Sequence, residues 1–262
     1  MGHIRQAAVA GLFYPADKHI LKNDIHGYLN NVSQNEQTNP KAIVVPHAGY
    51  VYSGPVAASA YKQLIPLKEK INRVVLLGPS HRVSFRGLAV PESDFFTTPF
   101  GDIPIDKQGV QLLSELEQVV VSEQAHKEEH SLEVQLPFLQ EVLNEFSLIP
   151  LVVGDVERHE VAEVIDSLWD DEHTLFVIST DLSHYHSYEE AKSMDRKTSD
   201  AIVNLKADLI GYEDACGRNG LKGMITVAEE KHLSIDTLDL RNSGDTAGDK
   251  SRVVGYGAYV IH

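Results

Sequence analysis

Four short apolar runs have the length and continuity of strands that are buried on both faces. A half-exposed strand alternates apolar and polar residues, whereas a strand covered by helices on both sides reads as a continuous apolar run. The runs are Ala42 to Val45, Val74 to Leu77, Ile149 to Val153 and Leu175 to Ile178. We therefore predict that these four segments form the centre of a largely parallel sheet.

Segments with apolar residues at helical spacing lie before, between and after these runs. The predicted helices are Lys18 to Leu29, Pro55 to Leu64, Leu132 to Phe146, Val161 to Trp169, Tyr188 to Lys206 and Leu221 to His232. Two later segments, Ile235 to Leu240 and Val253 to Ile261, are predicted to be edge-side strands. Strands that alternate with helices indicate βαβ units, so we predict an α/β fold with a mostly parallel or mixed central sheet flanked by helices.

Three segments depart from this alternation. Gly87 to Ile105 contains three prolines and is predicted to be a hairpin-type excursion, while Gln34 to Asn39 and Asn242 to Ser251 are predicted to be polar loops. We place no domain boundary in the excursion, neither loop is long enough for a linker between domains, and no internal repeat is present. We expect one domain over residues 1–262.

The composition narrows the class of protein. With 42% hydrophobic and 23% charged residues the chain is typical of globular proteins. A net charge of -15 repels phosphate backbones, so we expect no nucleic-acid partner. No signal peptide and no apolar run of membrane-spanning length are apparent, so we expect no membrane association. The single cysteine, Cys216, fits a reducing compartment, and the expected location is the cytoplasm.

Histidines follow three of the four central runs. His47 comes two residues after the first, His81 four residues after the second and His184 six residues after the fourth. In open α/β sheets the carboxyl ends of the strands face the ligand crevice, so these imidazoles are predicted to converge there. Histidine is the commonest metal ligand, and the sequence therefore predicts a metal site, although a lone histidine in a loop is often only bonded to backbone.

A third protein ligand is needed beside two histidines, and the residues offer three candidates. Asp181 or Glu133 would complete a set of two histidines and a carboxylate, which suits non-haem Fe(II). Cys216 would complete a set that suits Fe(II), Cu or Zn. An unpaired cysteine is also often a small buried hydrophobic residue, so the spacing alone leaves the choice open.

A further cluster, Glu128 to Glu133, opens the third predicted helix. Helix capping by Ser131 and the helix dipole account for its serine and acidic residues. A protonated His130 would be unfavourable at a helix amino terminus, so His130 is retained as a candidate site residue.

Several motifs together resemble the Memo family. They are Gly11-Leu12-Phe13-Tyr14-Pro15, Pro46-His47-Ala48-Gly49-Tyr50-Val51-Tyr52-Ser53-Gly54, Gly78-Pro79-Ser80-His81, Glu129-His130-Ser131-Leu132-Glu133 and Ser179-Thr180-Asp181-Leu182-Ser183-His184-Tyr185. The likeness continues through Cys216-Gly217-Arg218 and covers nearly the whole chain.

This resemblance implies a fold similar to the class III extradiol dioxygenases of the LigB type and a pocket associated with iron or copper. It selects His47, His81 and Cys216 as metal ligands, with Asp181 and His184 beside them and His184 where the dioxygenases keep an acid–base histidine. Those enzymes use a glutamate where this chain offers Cys216, and this difference argues against ring cleavage. A radical-SAM protein and an AMMECR1-like protein are the partners that the family implies.

Three functions follow as expectations. The first is a redox enzyme with Fe(II) or Cu, in which His184, Asp181 and His130 are the candidate catalytic groups. The second is a non-catalytic module that binds a peptide or small anion, with Tyr50, Glu129 and Ser183 as pocket residues. The third is a hydrolase in which Zn activates water.

Overall fold

The computed structural model describes residues 2–33, 39–169 and 172–262. Its strands are β1 (Ile4–Arg5), β2 (Ala42–Val45), β3 (Arg73–Pro79), β4 (Leu88–Val90), β5 (Phe95–Thr98), β6 (Gly101–Pro104), β7 (Val119–Val121), β8 (Ser147–Val153), β9 (Thr174–Ser179), β10 (His184–His186), β11 (Ile235–Asn242) and β12 (Val253–Ile261). Its α-helices are α1 (Lys18–Asn30), α2 (Tyr50–Tyr61), α3 (Lys107–Leu113), α4 (Glu123–Lys127), α5 (His130–Glu133), α6 (Leu136–Val142), α7 (Arg158–Ser167), α8 (Tyr188–Val203) and α9 (Arg218–Glu230). The 3-10 helices are Lys62–Leu67, Ala207–Leu209 and Ser243–Asp245.

The predicted mixed α/β fold is confirmed. Nine strands form one sheet in the order β10-β12-β2-β9-β3-β8-β4-β7, with β11 also paired to β12. Neighbours β2, β9, β3 and β8 are mutually parallel. Strand β12 is antiparallel to β10, β11 and β2, while β4 is antiparallel to β8 and parallel to β7. The four central strands are almost wholly buried, which is why their sequences read as continuous apolar runs.

The strand order brings the ends of the central strands together. Strand β9 lies between β2 and β3, although it follows both in the chain. The residues after β2, β9 and β3 therefore leave the same edge of the sheet at adjacent positions. His47, Asp181 and His81 all follow these ends, so the topology places their parent loops side by side.

Helix packing covers the sheet. Helices α2 and α8 contact β11 and β12, while α9 packs on α7 and also contacts β3 and β9. None of the helices within the described ranges is long and apolar enough to cross a bilayer.

The helix predicted over Leu132 to Phe146 is wrong in its extent. Two short helices, α5 and α6, occupy the segment, and Leu143 is extended with φ −109° and ψ 160°. Pro137 lacks a backbone N–H in the first turn of α6, so it cannot continue the hydrogen-bond ladder of α5. The apolar residues that suggested one long helix are buried in both pieces.

Other boundaries also shift. Helix α2 begins at Tyr50 with Pro55 inside it and gives way to a 3-10 helix at Lys62. The predicted excursion Gly87 to Ile105 contains β4, which joins the main sheet, and the hairpin β5–β6, which pairs with β1. A 3-10 turn interrupts the predicted loop Asn242 to Ser251. The predicted loop Gln34 to Asn39 lies mostly outside the described residues.

Candidate metal centre

Two imidazoles and a thiol meet at the carboxyl end of the sheet. One ligand atom from each of His47, His81 and Cys216 lies within 4.8 Å of the others. The His47 and His81 rings are 5.2 Å apart between centroids, and the Nε2 atom of His47 is 3.4 Å from the Sγ atom of Cys216. Nitrogen and sulfur donors at this separation are the ligand types that transition metals take from proteins.

The turn before α9 holds Cys216 against the end of β9. The Cys216 N–H donates to the Asp181 carbonyl over 3.3 Å, and the Asp181 N–H donates to the Cys216 Sγ atom over 3.3 Å. One residue on, the Gly217 N–H donates to the Thr180 hydroxyl over 2.9 Å. These bonds fix the thiol beside His47, although the two residues are 169 positions apart in the chain.

Glu129 anchors His81. Its carboxylate accepts the His81 backbone N–H over 2.6 Å and lies 2.8 Å from the ring Nδ1 atom. The same carboxylate caps helix α5 by accepting the Ser131 N–H over 2.9 Å. Because ionised Glu129 can only accept here, the His81 Nδ1 atom donates, which leaves Nε2 as the nitrogen that bears the lone pair whenever the ring is neutral.

A cavity of about 730 Å³ opens beside this cluster. His81, His184 and Cys216 line it, together with the guanidinium-bearing residues Arg82 and Arg218. His184 begins β10, and the following residue Tyr185 has φ +64°, where the pairing of β10 with β12 shifts register. The irregular backbone at Tyr185 thus lies in the part of β10 that lines the cavity.

The structure places the other predicted site residues in different surroundings. The Tyr50 hydroxyl is buried and donates to the Val134 carbonyl, so its ring packs in the core rather than facing the cavity. Ser183 is fully buried and donates its N–H to Asp195. The His130 ring stacks on His81 with 4.5 Å between centroids.

Glu133, one of the three candidates for a third ligand, is engaged elsewhere. Its carboxylate accepts the N–H groups of Ala8 and Val9 over 2.8 and 2.9 Å and the Tyr14 hydroxyl over 2.7 Å. The Arg5 guanidinium also pairs with it, and both side chains are buried. Glu133 therefore fastens the amino-terminal segment to α5.

Comparisons with known proteins decide the family. The model of the Memo-like protein family matches residues 5–260. The chain is 39% identical to a "MEMO1 family protein" of Aquifex aeolicus, with 97% of each chain covered, and 35% identical to one of Methanococcoides burtonii, with 98% of this chain and 100% of that one covered. A relative from Thermoplasma volcanium is 32% identical, with 98% of each covered. This chain belongs to the Memo family. The predicted family is confirmed, while the likeness to dioxygenases of the LigB type stays a prediction.

Burial controls the ionisation of this Memo-family site. Desolvation and the neighbouring His81 lower the pKa of His47 to about 3, and desolvation with His47 and His81 lowers that of His130 to about 4. Burial and nearby Asp181 raise the pKa of the Cys216 thiol to about 12. His47 and His130 are thus neutral near pH 7, and the Cys216 thiol is protonated there.

The pKa values of the two carboxylates at the site, Asp181 and Glu129, are shifted in opposite directions. Burial raises the pKa of Asp181, and the hydrogen bond from the His47 N–H over 2.7 Å offsets only part of that effect. Burial also disfavours the Glu129 carboxylate, yet the hydrogen bonds from His81 and Ser131 outweigh it and lower the pKa to about 2. Glu129 is therefore the permanent negative charge beside the imidazoles.

Gly217 lets the turn that contains Cys216 pack closely against the end of β9. A Cβ atom there would lie 2.6 Å from the Ser179 carbonyl oxygen and 2.7 Å from the Thr180 Cβ. Since backbone cannot yield cheaply, we expect Gly217→Ala to lower the free energy of unfolding by about 1–3 kcal/mol. Chemical denaturation measures this change. Gly27→Ala is the matched control, because a Cβ in that exposed helical position meets nothing within 4 Å, and it should be neutral or stabilise by up to about 1 kcal/mol.

Proposed function

We propose that this Memo-family chain is a metal-binding protein in which His47, His81 and Cys216 hold Fe(II) or Cu for redox chemistry. The observation that supports the proposal is the approach of the three donor atoms to within 4.8 Å at the wall of an open cavity. Two of the donors come from separate strand ends and the third from the turn before α9. Three protein ligands beside a cavity leave coordination positions for a substrate, as in catalytic rather than structural metal sites.

The donor set fits such a metal. Two imidazoles and a thiolate suit Fe(II), Cu or Zn. The hard cations Mg²⁺ and Ca²⁺ prefer oxygen ligands, so this set does not favour them. Glu129 raises the basicity of the His81 ring through its Nδ1 atom, which strengthens the ligand. Iron or copper bound here would supply one-electron redox chemistry.

The residues around the cavity take the remaining roles. His184 is the proposed acid–base group, since it lines the cavity and an imidazole exchanges protons near neutral pH. Arg82 and Arg218 are proposed to bind an anionic group of the substrate. These two arginines would serve equally in a binding module without turnover, which is the alternative function.

Metal content tests the proposal. Untagged protein purified without oxygen should contain about one iron or copper ion per chain by elemental analysis, and His81→Ala should contain almost none. His159→Ala is the control, because His159 is an exposed histidine of α7, and it should match the wild type. Equal metal in wild type and His81→Ala would contradict the proposal. Zinc as the sole metal would favour hydrolysis instead.

A further inference from the structure

A buried chain of hydrogen bonds runs from the core to His47. The Tyr61 hydroxyl donates to Gln135 Oε1 over 2.8 Å, and Gln135 Nε2 donates to the Ser179 hydroxyl oxygen over 2.7 Å. The Ser179 Oγ atom lies 2.9 Å from Nδ1 of His47. All four side chains are at most 2% exposed, so water does not compete for these bonds.

Two backbone carbonyls fix the direction of every bond in this chain. Gln135 Nε2 also donates to the Pro46 carbonyl over 2.9 Å, which identifies the amide nitrogen because a carbonyl can only accept. The Ser179 hydroxyl lies 2.6 Å from the Ser131 carbonyl, so its single hydrogen points there. The hydroxyl is left with lone pairs only, one of which receives the Gln135 amide.

The remaining partner of Ser179 must therefore be a donor. The Nδ1 atom of His47 can satisfy that requirement only if it carries the ring proton. In a neutral imidazole the other nitrogen then bears the lone pair, and the Nε2 atom of His47 is the one that faces Cys216. The direction of the network thus determines which nitrogen of His47 can bind a cation.

We propose that Ser179, oriented by Ser131 and Gln135, is a positioning residue that keeps the proton of His47 on Nδ1 and leaves Nε2 as the ligand atom. The proton assignment stands on the hydrogen bonds alone, whereas its consequence for metal binding rests on the proposed function. Helix α5 and its N-cap residue contribute to both histidines, since the N-cap Glu129 bonds His81 and the Ser131 carbonyl orients Ser179.

Histidine NMR on isotope-labelled, metal-free protein tests the assignment, because protonated and bare ring nitrogens resonate at different frequencies. We expect His47 of the wild type to carry its proton on Nδ1 and Ser179→Ala to show the Nε2 form or a mixture. Ser179→Thr keeps a hydroxyl and should restore the Nδ1 form. Wild-type His47 protonated on Nε2, or a Ser179→Ala spectrum identical to the wild type, would overturn the proposal. The wild-type spectrum decides it even if Ser179→Ala does not fold.

Zinc(II) titration against a competing chelator tests the consequence. Loss of a residue that orients a ligand typically weakens metal binding by roughly 10- to 100-fold, and we expect this for Ser179→Ala with recovery in Ser179→Thr. Ser199→Ala is the control, since it removes another buried hydroxyl that bonds Thr237 in a different part of the fold, and its zinc affinity should equal that of the wild type. If Ser179→Ala shows a changed His47 NMR spectrum but binds zinc as tightly as the wild type, Ser179 has no positioning role in metal binding. Failure of the wild type to bind iron, copper or zinc would remove the proposed function, while the NMR result would still judge the proton assignment.

Discussion

Replacing Glu133 by alanine is expected to lower the free energy of unfolding by about 3–5 kcal/mol, the range for a buried ion pair that loses one partner. Its carboxylate is the shared acceptor for Arg5, two backbone N–H groups and the Tyr14 hydroxyl. Removal would leave the buried Arg5 guanidinium without its counter-charge. Loss of the carboxylate would also detach the amino-terminal segment that contains Phe13, whose ring centroid lies 4.7 Å from that of His130.

Urea or guanidinium denaturation measures the effect of Glu133→Ala. Asp208→Ala is the control for loss of an ion pair as such, because the Arg158–Asp208 pair is exposed and should contribute at most about 1 kcal/mol. A cost for Glu133→Ala no larger than that of Asp208→Ala would contradict the structural role. Metal content should be retained in the folded fraction of Glu133→Ala, since this carboxylate is committed to four other donors.

The central strands could be predicted because their physical signal is local. Ala42–Val45 and Thr174–Ser179 are wholly buried, and a strand that must be apolar on both faces shows this in consecutive residues. The short strands β1, β7 and β10 give no such signal, since each has only two or three residues and part of each is exposed. Their pairing depends on partners that are distant in the chain.

The neighbourhood of the candidate site followed from one rule of topology. His47 and His81 come after strands that end at the same edge, so their proximity required only that the strands be parallel and lie close together in the sheet order. The position of Cys216 did not follow from the residues, because it depends on how the turn before α9 bonds to Thr180 and Asp181. The family resemblance supplied that candidate ligand.

The functions of single polar residues were the least predictable feature. Glu129 and Glu133 stand four positions apart in one motif, yet one orients a histidine and the other holds the amino-terminal segment. Gln135 falls within a segment whose apolar spacing suggested a plain helix, yet its amide donates a hydrogen bond to the Ser179 hydroxyl. Such roles depend on which buried donors and acceptors need a hydrogen-bond partner in the folded chain. The periodicity of apolar residues in the sequence carries no information about those partners.

Cys216 is expected to make metal affinity depend on pH. In the metal-free protein the pKa of the thiol is about 12, so binding a cation as thiolate releases one proton. Affinity should therefore rise about tenfold for each pH unit between roughly pH 7.5 and pH 9, where the thiol of the metal-free protein is still protonated. His47 adds nothing to this slope, because its pKa of about 3 leaves it neutral throughout.

Cys216→Ala separates the thiolate from the other ligands. The variant should bind Zn(II) more than roughly 100-fold more weakly than the wild type, because loss of a ligand costs more than loss of a residue that orients one. Its zinc affinity should also be nearly independent of pH over the same range. Competition titrations at several pH values measure both quantities. An equal slope in wild type and Cys216→Ala would show that some other group releases the proton, and would leave the thiol as a half-buried side chain beside two imidazoles rather than a ligand.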